Sequence, residues 1–252
     1  MGGMSEPPLV TYEVDDRIAV ITLDSPANRN ALSRPLVAEL TAALDSCAAD
    51  DRLHGVLLRS SQPVFCAGAD LREAATVDMR VSTAGIVALQ RAIVACPVPV
   101  VIRLDGPVRA GGLGLVASAD IVVCRDEVTF ALTEVRLGLA AASISIALKH
   151  RLTARAASDW FLTGRQFSAD EALTGGLVTQ LASAQSMDAQ VAAVLADLRS
   201  GIRQGLVQAK ALLTGELLAT FDEQGAAMAE LSGRLFHSTA AQSAMAAALR
   251  AR

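Results

Sequence analysis

Short runs rich in β-branched residues alternate with longer helical stretches in the first half of the chain. Residues 17–23 mix alternation with β-branched side chains and end at Asp24-Ser25-Pro26, which indicates a strand followed by a turn. Pairing with residues 10–14 predicts an N-terminal hairpin. Similar short apolar runs predict strands at Gly55–Ser60, 98–104 and 121–124.

Helical patterns lie between these strands. Ser33 is a suitable N-cap, Pro35 suits the first turn, and a stripe of apolar residues follows at helical spacing, formed by Leu36, Leu40, Leu44 and Cys47. Strands that alternate with helices imply crossover connections on an α/β core.

The pattern becomes almost entirely helical after about Leu152. Residues 154–162, 169–173, 188–213 and 221–252 all follow a helical period. A helical extension with an apolar side of its own often packs on a neighbouring subunit. We therefore expect two parts, a core over residues 1–190 and a helical oligomerisation region over residues 191–252.

Composition restricts the class of protein. Of the 252 residues, 52% are hydrophobic and 19% are charged, which excludes a disordered chain or a disulfide-stapled miniprotein. No window near 20 residues lacks charged or polar residues or glycine, and no basic segment followed by an apolar one begins the chain. We expect a protein without a membrane span, located in the cytoplasm.

Charge and metal-ligating residues suggest neither nucleic acid nor metal as a partner. The net charge is −4 and the 22 basic residues are scattered, so no stripe could follow a phosphate backbone. The four cysteines stand apart without a C-x-x-C pair, and the three histidines are isolated. We expect buried thiols and no metal site.

Two glycine-containing loops follow predicted strands. The first is Phe65-Cys66-Ala67-Gly68-Ala69-Asp70-Leu71, and the second runs over residues 105–115 into a short predicted helix at 113–119. Small residues let a ligand approach the backbone, and the start of a helix presents free N–H groups. Each loop could donate an N–H to one oxygen, although a tight turn alone would explain either loop.

The second loop also matches a dinucleotide-binding fingerprint in form. Gly112-Leu113-Gly114-Leu115-Val116-Ala117 fits G-x-G-x-x-A, and Glu134 follows 20 residues after Gly114. The next strand begins near Ile121, which leaves barely two helical turns instead of a full crossover helix. We therefore reject a dinucleotide site.

Several motifs in this order resemble the enoyl-CoA hydratase/isomerase family, the crotonase superfamily. They are Pro26-Ala27-Asn28-Arg29-Asn30-Ala31-Leu32, the loop 65–71, the stretch from Pro99 through Gly106 to Ala110-Gly111-Gly112 and Ala119-Asp120, and Leu162-Thr163-Gly164 with residues 169–178. The resemblance covers the chain from the N-terminal hairpin to the last helix. It implies an α/β spiral of ββα turns, C-terminal helices that mediate trimerisation, trimers that often pair into hexamers, and an acyl-CoA thioester as ligand.

The resemblance also assigns roles to residues. The family's oxyanion hole corresponds to the backbone N–H groups of Ala69 and Gly111, and the carbonyl of Ala67 matches the position that recognises the adenine of CoA. Arg29 and Ala31 match the segment at the CoA entrance. The other loop residues expected at the substrate site are Gly68, Asp70, Leu71, Ala110 and Gly112, with Asp70 expected to order its loop rather than react.

The family's two catalytic glutamates are represented by one. The first position is Gly114, and the second is Glu134. A second departure lies at residues 138–145, where many relatives have proline and a Gly-Gly pair; here we expect the helix to start earlier or run straighter. Ser143 and Ser145 supply no replacement carboxylate and could only donate or accept hydrogen bonds.

One carboxylate suffices for moving a double bond from C3 to C2, whereas hydration normally divides its work between two. We therefore expect single-base isomerisation of a 3-enoyl-CoA by Glu134, with no cofactor beyond the CoA of the substrate. Two alternatives stay open. One is an enoyl-CoA hydratase that lacks one glutamate, and the other is a non-catalytic acyl-CoA binder, which the charge of Arg109 beside the second loop and the altered residues 140–145 favour.

Overall fold

The structure, a computed structural model, describes residues 7–73 and 77–250. Its nine strands within this part of the chain are β1 (Val10–Asp15), β2 (Ile18–Leu23), β3 (Gly55–Ser60), β4 (Val100–Leu104), β5 (Val108–Arg109), β6 (Ile121–Arg125), β7 (Thr129–Ala131), β8 (Gln166–Ser168) and β9 (Gln180–Ala182). Six of them form the main sheet in the order β1-β2-β3-β4-β6-β9, in which only the β1-β2 pair is antiparallel. Strands β5, β7 and β8 form a second, smaller sheet.

The same described part of the chain contains nine α-helices. They are α1 (Arg34–Ala49), α2 (Met79–Ala95), α3 (Gly112–Ser118), α4 (Ser145–Arg151), α5 (Ala154–Thr163), α6 (Ala169–Thr174), α7 (Met187–Ser200), α8 (Arg203–Phe236) and α9 (Thr239–Arg250).

Helices cover both faces of the main sheet. All six residues of β2 are buried, as expected for a parallel strand with packing on each side. Ala19 and Ile21 belong to the large core cluster that also contains the apolar stripe of α1. Ile18 and Val20 belong to a second cluster with residues of α7. The sheet therefore forms the central layer of an α/β architecture, which confirms the expected fold class.

The N-terminal hairpin and the first helix are as predicted. Strands β1 and β2 pair over their whole length, and all four residues of the predicted α1 stripe are buried. Ser33 is the N-cap by position, but its side chain accepts no capping hydrogen bond.

The helical period predicted over 188–213 is confirmed, but the pattern predicts neither the break inside this range nor the length of the second helix. Helix α7 ends at Ser200, Gly201 adopts an extended conformation, and α8 then continues unbroken from Arg203 to Phe236. Gly225 and Gly233 allow α8 to approach α2 closely, since a Cβ on Gly225 would lie 3.1 Å from Val87 Cγ1 and one on Gly233 would lie 2.8 Å from Arg80 Cα. Packing on α2 thus stabilises a helix longer than the local sequence suggests.

The C-terminal helices also contribute to the core of the chain. Leu217, Phe221 and Ala229 of α8 are members of the large core cluster, and residue 190 lies inside α7. The division of the chain at 190 and the association of subunits through residues 191–252 stay predictions.

All four thiols are free and buried. No helix over residues 7–73 and 77–250 combines the length and the apolar character that crossing a bilayer requires.

Candidate active site

The two glycine-containing loops lie side by side. Phe65 N donates to Pro107 O and Arg109 N donates to Cys66 O, so the segment before Gly68 pairs in parallel with the segment before Gly111. Gly68 has φ +92°, and a Cβ there would lie 2.8 Å from the Cβ of Ala110. Only glycine allows this approach, which brings the backbone of residues 68–69 against that of Gly111.

The backbone N–H groups of Ala69 and Gly111 are close neighbours without partners. A Cβ placed on Gly111 would lie 3.5 Å from the nitrogen of Ala69. Neither N–H donates a hydrogen bond to any part of the chain that the structure describes. Buried N–H groups are normally paired, so two free ones in adjacent loops form a ready site for an electron-rich oxygen.

Ala110 holds the second loop in its shape. Its φ is +47°, a left-handed value that is uncommon for a residue with a Cβ. Its N–H donates to the carbonyl of Ala131 at 2.9 Å, where β7 pairs with β5. The strand that leads to Glu134 therefore also fixes the conformation of the loop that presents the Gly111 N–H.

Glu134 lies in a 3₁₀ turn, Thr133–Leu137, directly after β7. The residue is partly exposed, but its Oε2 is fully enclosed and accepts no hydrogen bond within the described residues. Enclosure raises the pKa of the carboxyl to about 7, because the charged form loses its hydration. Such a carboxyl can exchange a proton near neutral pH.

These groups meet in an inner cavity of about 60 Å³. It is lined by both loops, by Glu134 and its turn, and by residues of α2 and α8; the full lining is Ala67, Ala69, Leu71, Thr83, Ile86, Ala110, Gly111, Glu134, Leu137, Leu139, Ala140, Ser143, Ser232 and Phe236. The single carboxylate and the two free N–H groups therefore share one small space.

An outer cleft of about 210 Å³ adjoins this cavity. Its lining is Ala27, Asn28, Arg29, Ala31, Ala67, Ala69, Asp70, Leu71 and Arg72. Ala67, Ala69 and Leu71 belong to both spaces. The outer cleft thus leads to the inner cavity along the first loop.

Most of the residues predicted for the site line one of these two spaces, but Gly68 and Gly112 line neither. Gly68 makes the contact between the loops described above. A Cβ on Gly112 would lie 2.8 Å from the Cβ of Cys66, so this glycine allows close packing of α3 behind the first loop.

Asp70 fixes the shape of the first loop. Its carboxylate accepts hydrogen bonds from Asn28 Nδ2 at 3.1 Å and from the backbone N–H of Arg72. It also accepts one from Nη2 of the Arg72 guanidinium at 3.0 Å. Burial opposes ionisation, but the hydrogen bonds from Arg72 and Asn28 dominate and lower the pKa of Asp70. The sequence analysis assigned no role to Asn28 or Arg72, although Asn28 lies within a motif that it identified.

No side chain fits at position 114. A Cβ on Gly114 would lie 2.5 Å from Ile144 Cγ2 and 2.8 Å from Gln90 Oε1. Gln90 is fully buried and donates from Nε2 to Ile86 O and to Ser143 O. Its Oε1 accepts no hydrogen bond within the described residues. A glutamine amide from α2 thus occupies the space into which a glutamate at 114 would have to extend.

Arg109 points away from the cavity. Its guanidinium donates to Thr129 O at 2.5 Å, to Thr129 Oγ1 at 2.8 Å and to Gln166 Oε1 at 3.2 Å. Burial lowers the pKa of this half-buried guanidinium. The side chain joins β5 to β7 and β8 within the smaller sheet, so its charge does not obstruct the second loop as the sequence suggested.

The altered stretch after Gly138 forms a 3₁₀ turn, Ala142–Ile144, before α4 begins at Ser145. Ser143 lines the inner cavity, whereas Ser145 Oγ donates to Ala142 O at 2.8 Å. Thr83, Ser232 and Phe236 also line the cavity. No local motif marks these last three, because they reach it through the packing of α8 on α2.

Comparison with known proteins shows the family to which the chain belongs. Residues 13–251 match the family model described as enoyl-CoA hydratase/isomerase. The chain is 30% identical over 209 residues to 4-chlorobenzoyl coenzyme A dehalogenase-2 of an Arthrobacter species, covering 79% of this chain and 76% of that protein. It is 29% identical over 220 residues to the mouse mitochondrial enoyl-CoA hydratase domain-containing protein 3, covering 86% of this chain and 73% of that protein.

A solved structure of an enoyl-CoA hydratase from Mycobacterium avium superposes with a TM-score of 0.90 at 40% identity, covering 98% of each chain. The family match, these relatives and this solved structure all indicate the same family. The chain belongs to the enoyl-CoA hydratase/isomerase family and is an acyl-CoA enzyme of that family.

Proposed function

We propose that the protein isomerises a 3-enoyl-CoA to a 2-enoyl-CoA with Glu134 as its single acid–base group. One observation carries the proposal. The enclosed, unpartnered Oε2 of Glu134 belongs to the same small cavity as the free N–H groups of Ala69 and Gly111.

In this mechanism the N–H groups of Ala69 and Gly111 hold the thioester oxygen. They donate more strongly to the enolate than to the neutral carbonyl, so they stabilise the transition state more than the substrate. One donor of this kind contributes about 2.7–4 kcal/mol to lowering a barrier. The pair therefore makes removal of the C2 proton accessible to a carboxylate.

Glu134 moves one proton. Its carboxylate takes the proton from C2, and the electron pair of the broken C–H bond enters a dienolate over C1 to C4. The protonated carboxyl then returns the proton to C4, which leaves the double bond between C2 and C3. A pKa of about 7 suits both proton transfers, since the carboxyl group is then neither a very weak base nor a very weak acid at neutral pH.

Hydration is the second candidate, because two relatives carry that activity in their names. It needs a group that deprotonates water in addition to the proton donor for C2. Gln90 occupies the space beside Gly114 and an amide does not serve as a base at neutral pH. This supports hydration less well than isomerisation.

The outer cleft suits the CoA part of the substrate. We assign it to Arg29, Ala31 and the carbonyl of Ala67, with Asp70 ordering the loop, and no cofactor besides this CoA enters the mechanism. A homotrimer or homohexamer in the cytoplasm stays the expected state of the protein.

The test offers 3-hexenoyl-CoA and crotonyl-CoA separately to the purified protein and to Glu134→Gln. We expect turnover of 3-hexenoyl-CoA that the variant loses, and little hydration of crotonyl-CoA. Turnover of crotonyl-CoA alone would replace isomerisation with hydration. Acyl-CoA binding without turnover of either thioester would identify a binder instead.

A further inference from the structure

Three residues with hydroxyl side chains line the inner cavity together with the proposed base. They are Thr83 on α2, Ser143 in the 3₁₀ turn before α4, and Ser232 on α8. These residues are 1%, 9% and 4% exposed, respectively. All three residues are therefore largely buried.

Two of these hydroxyls have no partner. Other helical hydroxyls of this chain bond to the carbonyl one turn earlier, as Thr214 Oγ1 does to Lys210 O and Thr220 Oγ1 to Glu216 O. Within the described residues, Ser143 Oγ and Ser232 Oγ make no such bond or any other. Thr83 Oγ1 lies 2.9 Å from Ala229 O, to which it donates, and keeps its lone pairs free to accept.

A plain hydrocarbon chain would leave these groups unsatisfied. Buried polar groups are almost always hydrogen-bonded, and filling the cavity with carbon alone would strip the two serines of any water without replacing it. Apart from Glu134 and the N–H groups of Ala69 and Gly111, the rest of the wall is apolar, through residues that include Ile86, Leu137, Leu139 and Phe236. The hydroxyls are thus polar points in an otherwise hydrocarbon-like pocket, an arrangement that selects for a matching polar group.

The polar group of the ligand that would match these hydroxyls is neutral. Glu134 is the only ionisable residue in the cavity lining over the described part of the chain, and no lysine, arginine or histidine is there to pair with an anion. A second carboxylate on the ligand would lie unpaired in a small enclosed space, near a like charge. A ketone or hydroxyl oxygen satisfies serine hydroxyls without that cost.

We propose that the acyl group of the substrate carries a neutral oxygen, a hydroxyl or a ketone, beyond C4, and that Ser143 and Ser232 hydrogen-bond it. The proposal rests on the proposed function, since it takes the thioester to be held by the two loops. The inner cavity has a volume of about 60 Å³, so the acyl group that it accepts is compact.

The test measures binding of saturated thioesters, which have no double bond to move. Isothermal titration calorimetry compares hexanoyl-CoA with 5-oxohexanoyl-CoA, 5-hydroxyhexanoyl-CoA and 6-hydroxyhexanoyl-CoA. We expect at least one oxygenated ligand to bind about fivefold more tightly than hexanoyl-CoA, the gain of one neutral hydrogen bond. Absence of catalysis would not affect this readout, so failure of the proposed reaction and failure of this proposal are distinguishable.

Ser143→Ala and Ser232→Ala test whether these two serine hydroxyls cause the preference for an oxygenated acyl group. Each should reduce the preference, and the double variant should abolish it while hexanoyl-CoA binds as well as before or better. Ser145→Ala is the matched control, because its hydroxyl bonds to Ala142 O and does not line the cavity. Equal affinity for all four ligands, or a preference that survives in the double variant, would overturn the proposal.

Discussion

A Cβ atom on Gly114 would lie 2.8 Å from the amide oxygen of Gln90, so the two positions cannot both carry side chains in this space. Gln90 is anchored by its Nε2, which donates to Ile86 O and Ser143 O at 3.0 and 2.8 Å. The glycine at the family's first glutamate position is therefore part of a different packing arrangement and not a simple deletion of a carboxylate.

Gly114→Ala should lower the free energy of unfolding by about 1–3 kcal/mol, because the added methyl group clashes with Gln90 and with Ile144 Cγ2. Urea denaturation measures the change. Gly215→Ala on α8 is the matched control, since nothing lies within 4 Å of its added Cβ, and it should stabilise by roughly 0.5–1 kcal/mol.

Gly114→Glu should not create a hydratase. The longer side chain meets the same obstruction, so we expect a destabilised protein without gain of crotonyl-CoA hydration. A variant with wild-type stability that hydrates crotonyl-CoA would show that Gln90 yields its place easily, and would contradict our interpretation of position 114.

Glu134→Gln should reduce kcat for 3-hexenoyl-CoA by about 10²–10⁴-fold, because the amide cannot accept the C2 proton. Binding of hexanoyl-CoA should change little. Glu127→Gln is the control on the same segment, since its carboxylate is exposed and pairs with Arg125. If kcat falls equally in both variants, Glu134 is not the catalytic base.

The rate should depend on pH through Glu134. Its carboxyl must be ionised to take a proton, so kcat/KM should rise with pH and level off above a midpoint of about 7. A stopped-flow or steady-state profile from pH 5 to 9 measures it. A midpoint near 4.5 would mean that the enclosure of Oε2 does not persist in solution.

Stability should depend on the same group. Burial raises its pKa from 4.5 to about 7 on folding, so the folded state binds the proton more tightly and stability falls as pH rises through this window. Relative to Glu134→Gln, which cannot ionise, the wild type should lose about 3 kcal/mol between pH 4 and 8, at 1.36 kcal/mol for each unit of pKa. Urea denaturation of both proteins at several pH values measures this loss. If the difference in unfolding free energy between the wild type and Glu134→Gln is the same at pH 4 and pH 8, the prediction is wrong.

Gly111→Pro removes one of the two oxyanion donors, and the φ of −49° at this residue is near the value that proline requires. We expect kcat to fall about 10²–10³-fold. Gly111→Ala keeps the N–H and adds a methyl group 3.2 Å from Leu32 Cδ1, so it reports the steric part alone. If both variants lose activity equally with unchanged melting temperatures, the N–H has no special role.

Asp70→Asn should raise KM several-fold with a smaller effect on kcat, because losing the charge weakens the bonds from Arg72 and Asn28 that shape the outer cleft, which we propose holds CoA. Asp222→Asn is the comparison, as it breaks an exposed ion pair with Arg91 outside the cleft lining. A KM change of the same size in both would indicate a general effect of lost charge.

Local patterns were enough to predict the hairpin, α1 and the strand Gly55–Ser60, because a strand's alternation or a helix's apolar stripe is written in neighbouring residues. The helical period over 188–213 is present, but the pattern does not predict that the second helix continues to Phe236, because this continuation depends on the packing of α8 against α2. Association of subunits and location in the cell stay predictions.

The sequence by itself determined that two glycine-containing loops follow strands and that only Glu134 remains of the family's two glutamates, since these features depend on residue identity within short motifs. Only the tertiary structure decided that Gln90 fills the space at Gly114, that Arg109 points away, and that hydroxyls line the acyl cavity. The bonds that hold α2 in place span 53 residues from Gln90 to Ser143 and 146 from Thr83 to Ala229. Contacts over such separations, like the enclosure that raises the pKa of Glu134, exist only once the helices have packed.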